Sequence, residues 1–567
     1  MAAGLDGRGA TIVLKRRPNA SDWLYVLPLA FLALFFFYPL AAVTWKSLTP
    51  EGRLDLSPLL TIWRQPYFLR ALWFTFWSAA LSTVLTVVIG LPAAYVFARY
   101  RFPGKGILQA LTTIPFVLPA MVVAAAFTAL VGPRGWLNSQ LVAWLDLGRA
   151  PIHLQNTIWL ILIAQVFYNT TVMIRMVGGF WANLDPRLGE AARVLGGNRI
   201  RVLREITLPL LLPAIASAAL LVFLFCFTSF GLILILGGPR FATLEVEIYR
   251  QTVTLFRLPE AAAIGLVQIV LTFLVMALYT RIQARASVPM NLRSARETAL
   301  PPVSAGQRAS VILVVTGLLL FLVLPLVVLA GRSLAAGDPA RYYRELFVDR
   351  VSSVFYVSPG TAIRNSLGFA VLTVCLALFF GTVTAYALAR GRGGLSRLVD
   401  PIVLLPLGAS AVTLGLGFLL AFGKKPLDLR ASPALVPIAH TLVAFPFVVR
   451  ALLPALRGLK PGWREAAGIM GASPWQIWRE VELPIVGRAM VVGAVFAFTV
   501  SMGEFGATLL IARPEYPTMP IVIYRLLGQP GPLNYGQALA MSTLLMLVCA
   551  VGFLLIERFR AGAIGEF

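Results

Sequence analysis

The chain has 567 residues, 59% hydrophobic and only 13% charged, about half the charged share of a soluble globular chain. Its 48 Lys and Arg against 24 Asp and Glu give a net charge of +24. In so apolar a chain that excess reads as basic loops that resist translocation, which argues against a nucleic-acid surface.

A helix needs roughly 20 apolar residues to cross a bilayer. After a polar tail at 1–22, runs that meet this need lie at 23–44, 71–98, 107–131, 157–176, 210–235 and 262–281. A polar stretch with adjacent prolines, 283–308, reads as a linker. Six more runs follow at 309–331, 365–389, 400–422, 433–452, 485–511 and 537–557. The expected fold is an all-α polytopic membrane protein of about 12 spans. The first run has no small-residue cleavage site after it and is expected to remain as a span. An even count puts both termini on one side. Lys15, Arg16 and Arg17 before the first span, and Arg558 and Arg560 after the last, favour the cytoplasm. Cys226, Cys375 and Cys549 fall within apolar runs, and His153 and His440 are the only histidines. No metal site is expected from them. His440 and its counterpart Gln165 read as hydrogen-bonding groups between helices.

The two halves, 23–282 and 309–567, repeat. AAYVFARYR at 93–101 matches TAYALARGR at 384–392, and Pro115 matches Pro406. Arg175 and Arg450 correspond, and PRFATLEVEIYR at 239–250 matches PEYPTMPIVIYR at 514–525. Early matches are 291 residues apart and later ones 275, so the first half carries an insertion at 133–152, expected in a loop. Six spans separate each repeat from its copy, so these are parallel repeats and both copies of any loop face the same side.

Two polar segments interrupt the apolar pattern at matched places: EAARVLGGNRIRVLREITLP at 190–209 and EAAGIMGASPWQIWREVELP at 465–484. Their common form is E-A-A-x3-G-x9-[IV]-x-L-P. Glu190, Ala191 and Ala192, like Glu465, Ala466 and Ala467, favour a short helix with little bulk, so that a partner surface could approach closely. Gly196 and Gly471 can adopt positive φ and end that helix. A second amphipathic helix should follow, with Pro209 and Pro484 opening the next span. The alternative reading is an ordinary re-entrant polar loop with basic anchors.

This duplicated pattern resembles the signature loop of permease subunits in binding-protein-dependent ABC importers. The resemblance implies a type I importer permease fold in a prokaryotic cytoplasmic membrane. It implies that each loop is a coupling helix docked on a cytoplasmic ATPase, with Glu190, Ala191, Ala192, Gly196, Glu465, Ala466, Ala467 and Gly471 as coupling residues. With no G-x4-G-K-[ST] loop in the sequence, ATP and Mg would be used by that separate ATPase, in two copies, with no cofactor bound here. No catalytic residue is expected.

The loops at 239–250 and 514–525 are then candidates for docking an extracytoplasmic binding protein, through Arg240, Glu245, Glu247 and Arg250 and through Arg513, Glu515 and Arg525. They could equally only cap the spans. Before them, FCFTSFG at 225–231 and VSMGEFG at 500–506 supply a candidate substrate pathway: Phe227, Ser229, Phe230, Ser501, Glu504 and Phe505. A carboxylate near a span end faces a cavity or a partner, so Glu504 either attracts a cationic solute or pairs with an arginine of a neighbouring loop. The whole chain resembles the fused permeases of thiamine and ferric-iron importers. Thiamine is placed first, ferric iron second and a sulfate- or phosphonate-type anion third, since Glu504 counts against an anion. The rival class, an ion-gradient transporter, would place ionisable relays at mid-membrane, where these spans carry little charge; a membrane-embedded enzyme would need clustered catalytic side chains.

Overall fold

The computed structural model describes residues 22–50, 52–286, 300–349, 356–391, 394–423 and 428–561. Nearly all of the tail 1–22, with Lys15, Arg16 and Arg17, lies outside them, as do 287–299 of the linker and Arg392.

Among the described residues, helices long and apolar enough to span run over Trp23–Leu48, Pro66–Arg99, Ala120–Leu145, Ile158–Ala182, Ile200–Phe227 and Leu258–Gln283. The second half supplies Ala305–Arg332, Thr361–Arg390, Leu435–Arg457, Pro474–Gly503 and Pro532–Leu555. A twelfth is made of two pieces, Ser396–Gly408 and Ala411–Ala421, bent by 98°.

That bend corrects the sequence reading. The run at 400–422 is largely apolar on both sides of the turn, yet the chain turns at Ala409 and Ser410, and Ser410 Oγ accepts from the Thr413 amide at 3.2 Å to start the next helix. Its counterpart at 107–131 breaks too. Lys105–Val117 ends where Leu118 and Pro119 are extended, and Ala120–Val131 begins beyond them. A proline pushes the residue before it out of the helical region. Leu118's freed carbonyl is taken by the Tyr168 hydroxyl. The insertion at 133–152 carries a helix, Trp136–Leu145. Buried Asn138 closes it, donating to the Gly132 and Ile152 carbonyls at 2.9 Å and accepting from the Ile152 amide at 2.9 Å.

Lipid tails are as apolar as leucine, so helices associate in a bilayer mainly through close packing. Small residues allow it at equivalent places in both halves. A Cβ on Gly90 would lie 2.5 Å from Met173 Cβ, and one on Gly381 would lie 2.5 Å from Val448 Cγ1. The second and fourth spans of each half thus meet backbone to side chain.

The halves also interlock. The first span of the chain sits between the last span of its own half, Leu258–Gln283, and the second half: Phe31 stacks on Phe380 at 4.2 Å, and the Tyr25 hydroxyl donates to the Ala387 carbonyl at 2.7 Å. Reciprocally, Leu324–Arg332 packs on Ala120–Val131, and Phe321 meets Phe167 edge-on at 6.0 Å. Leu300 exchanges backbone hydrogen bonds with Arg99 and Arg101 at 3.0 and 2.9 Å, which ties the start of the second half to the end of the second span.

Candidate functional site

The two polar segments form matching elbows. The first begins with a helix at Pro186–Val194, capped by the Asp185 carboxylate, which accepts from the Arg187 amide at 3.0 Å. The second begins at Pro461–Ile469. Each ends in the same left-handed cap. Gly196 has φ +84° and Gly471 +86°. The Gly197 amide returns to the Ala192 carbonyl at 2.9 Å and the Gly196 amide to Arg193 at 3.0 Å. The Ala472 and Gly471 amides bond to Ala467 and Gly468 at 3.1 and 3.0 Å. This double bond pattern consumes the free carbonyls of the last turn and needs a residue at positive φ. Glu190, Ala191, Glu465 and Ala466 are exposed, Ala192 is half-buried and Ala467 is buried.

Sequence reasoning missed the apolar tips. Val194 and Leu195 are each 88% exposed, and Ile469 and Met470 are 88% and 80% exposed. They fall at the same offset of 275, and that recurrence was the signal available. The expected proline-opened span is also corrected. Each elbow's second helix runs straight into the next span, and Pro209 and Pro484 sit inside continuous helices just after a widened turn at Leu203–Thr207 and at Ile477–Glu482. Widening the turn relieves the carbonyl that a proline ring would otherwise meet.

One elbow is clamped. Glu482, with 2% of its side chain exposed, meets Arg390 at 3.2 Å and Arg464 of the elbow helix at 2.5 Å. Arg390 also lies over the Tyr386 ring at 5.1 Å.

At the centre the repeats meet on themselves. Phe230 stacks on its counterpart Phe505 with centroids 5.6 Å apart. Tyr249 lies 5.7 Å from Phe230, and Tyr524, its own counterpart, lies 5.6 Å from Phe505. Of the sequence-selected pathway residues, Phe230 and Phe505 come together here. Phe227 does not: it is fully buried against Phe76 and Phe223 inside the first half. Ser229 lies to one side, its carbonyl accepting from Thr243 at 3.4 Å.

Glu504 pairs with a histidine, correcting the expected arginine. His440 Nε2 is 3.3 Å from its carboxylate. The carboxylate also accepts from the Ala507 and Thr508 amides at 2.8 and 3.0 Å and from the Thr508 hydroxyl, capping the helix Gly506–Ile511. His440 Nδ1 reaches Ser501 at 2.7 Å, and Ser501 donates to Thr373 at 3.3 Å. In the first half, Ser82 at the place of Thr373 donates to Gln165 at the place of His440. Both halves therefore carry a buried polar tie between spans, as expected for Gln165 and His440.

The family described as "Binding-protein-dependent transport system inner membrane component" matches this chain at residues 86–288 and again at 377–563. The chain belongs to this family. It is the permease subunit of a binding-protein-dependent ABC importer and a multi-pass inner-membrane protein. It is similar to the thiamine transport system permease protein ThiP of Salmonella typhimurium, with 26% identity over 551 residues, 96% of this chain and 98% of that one. ThiP of Brucella suis is 27% identical over 501 residues, 87% and 88% of the two chains. Among solved structures, a bacterial ABC transporter involved in import of the acidic polysaccharide alginate aligns with TM-score 0.41 and 19% identity, over 47% of this chain and 97% of that one.

In the permease, the proposed docking loops divide. Glu245 and Glu247 are 1% and 2% exposed on the short helix Leu244–Tyr249, which corrects their assignment to an accessible face. Glu247 is held inside by Gln251 at 2.7 Å and Arg250 at 3.3 Å. Arg240 is exposed, as is Arg513, which pairs with Glu515 at 3.3 Å and donates to the Ala431 carbonyl at 3.0 Å. Arg525 is half-buried.

Proposed function

We propose that this permease imports thiamine or a closely related cation delivered by an extracytoplasmic binding protein. The observation that carries the reading is end-to-end similarity to curated thiamine permeases, over 96% of this chain in the longest case. Two copies of a separate ATPase, using ATP and Mg, grip the elbows at the cytoplasmic face, where both termini also lie. The permease itself hydrolyses nothing. Each elbow offers what a socket needs: two exposed apolar residues at the tip, small alanines beside them and a carboxylate at the edge. A rigid cap keeps that shape while force is passed to the attached span.

The quartet Phe230, Phe505, Tyr249 and Tyr524 is the closed section of the pathway. Four aromatic faces at the meeting line of the repeats block water and ions, and when they part they offer ring faces to a cation. Selectivity rests with the binding protein, so the pathway needs no tight site.

The test is reconstitution of the permease with its ATPase and binding protein in proteoliposomes. Labelled thiamine should accumulate only with ATP, Mg and all three components, and the permease alone should release no phosphate. Uptake of ferric iron or of an anion in place of thiamine would sink the substrate assignment and leave the importer reading intact.

A further inference from the structure

The two elbows are not equivalent, and the difference leaves one arginine without the ion pair that its counterpart makes. Arg99 and Arg390 hold the same place in the two repeats, at the ends of the second and eighth spans. Arg390 is ion-paired with Glu482, a carboxylate it shares with Arg464. The residue matching Glu482 in the first half is Thr207, and the residue matching Arg464 is Gly189. Where the second half has its ion-pair clamp, the first has a cavity of about 550 Å³, within the range of pockets that hold small molecules. Its walls are apolar, including Pro92, Trp181, Leu188, Ile206 and Leu211. Tyr95 and Leu208 at its edge are 36% and 42% exposed on the flanks of membrane spans.

Four charged side chains also line it: Arg99, Arg193, Asp185 and Glu190. The Asp185 carboxylate is engaged as the cap of the elbow helix, and exposed Glu190 and Arg193 lie one turn apart on that helix. Half-buried Arg99 makes no ion pair with either acid among the described residues, unlike its counterpart Arg390.

We infer that this cavity binds an anionic phospholipid of the surrounding bilayer, its phosphate on Arg99 and an acyl chain against the apolar wall. The lipid acid takes the place that the Glu482 carboxylate fills in the other half. Planar guanidinium suits phosphate, and a chain entering between the spans meets no polar wall. The site is built from the elbow base and two span ends, so a bound lipid stiffens the first elbow as the ion pair stiffens the second.

The test uses the full-length permease in nanodiscs carrying a trace of phosphatidylglycerol with a photoreactive acyl chain, with a phosphatidylcholine probe of the same chain as comparison. After illumination, labelled peptides are mapped by mass spectrometry. Label on the segments 91–99 and 203–215 should exceed that from the choline probe by about fivefold, the factor expected for one arginine meeting one lipid anion. Arg99→Gln should bring it down to the choline level. Thr207→Glu, which supplies an internal carboxylate to Arg99, should do the same, with labelling elsewhere on the chain unchanged as the check on folding. Equal labelling by the two headgroups, or full labelling in whichever variant folds, would overturn the proposal. The outcome does not depend on the substrate or on ATPase docking, so it is separable from failure of the functional reading.

Discussion

Phe230 and Phe505 are the same residue of the repeat written twice, and they stack on each other 5.6 Å apart. A contact between equivalent positions lies where the two repeats meet, which is why the pathway proposed above is placed there. Aromatic pairs of this kind contribute about 0.5–1.5 kcal/mol beyond the area they bury, enough to bias a closed state and small enough for nucleotide-driven rearrangement to overcome.

Phe505→Ala should therefore weaken closure without preventing insertion. In proteoliposomes carrying the permease without binding protein, passive leak of a small cation should rise several-fold. Phe227→Ala, a buried ring off the axis, should lower stability and leave leak per folded molecule unchanged. Equal leak in the two variants would remove the quartet from the pathway.

Gly196 and Gly471 each hold positive φ with open space around the missing Cβ. Strain at these positions is thus conformational and not steric. A residue with a side chain in the left-handed region costs about 1–2 kcal/mol, and a β-branched one more. Gly471→Val should loosen the elbow tip, reducing ATPase affinity and the transport achieved per ATP, with unchanged insertion. Gly471→Asn, which tolerates that conformation, should recover most of the loss. Co-purification of the ATPase and the ratio of uptake to phosphate release measure both.

The elbows were legible in the sequence because their determinants are local: a helix-forming triplet, a glycine that must take positive φ, and a spacing repeated 275 residues on. Span count and the parallel repeat were legible for the same reason, since length and hydropathy are properties of a run. The breaks at Pro119 and Ser410 were hidden because the apolar run continues through them, and hydropathy does not register direction. The histidine partner of Glu504 lies 64 residues earlier in the chain, so the pairing is fixed by packing alone. Glu245 and Glu247 look exposed in sequence because they are charged, and their burial is set by the packing of the helix that carries them, within which Gln251 and Arg250 also hold Glu247.

The close approach of the second and fourth spans gives a sharp contrast between two glycines of one helix. A Cβ on Gly381 would sit 2.5 Å from Val448, whereas one on Gly368 would meet nothing within 4 Å. Gly381→Ala should destabilise by about 1–3 kcal/mol through overpacking. Gly368→Ala should be neutral or stabilising by up to about 1 kcal/mol, since alanine is the better helix former. Thermal unfolding in detergent, followed by tryptophan fluorescence, reads both, and a Gly381→Ala protein as stable as the parent would contradict the packing.

Glu504 separates a structural carboxylate from a transport one. An exposed acid in the pathway would act on the substrate, and Glu504→Gln would slow cation uptake per folded molecule. The observed carboxylate is 8% exposed and accepts from two backbone amides, Thr508 and His440. A glutamine keeps one acceptor oxygen and presents its NH2 group to donors. Hydrogen bonds to a charged group contribute about 1.5–3 kcal/mol, so the variant should melt earlier by an amount of that order. Its initial uptake rate, divided by the folded fraction, should match the parent for cationic and neutral cargo alike. His440→Gln, which leaves the two amide bonds of Glu504 intact, should lose less stability than Glu504→Gln. A rate deficit confined to cationic substrate, at full thermal stability, would return Glu504 to the translocation pathway.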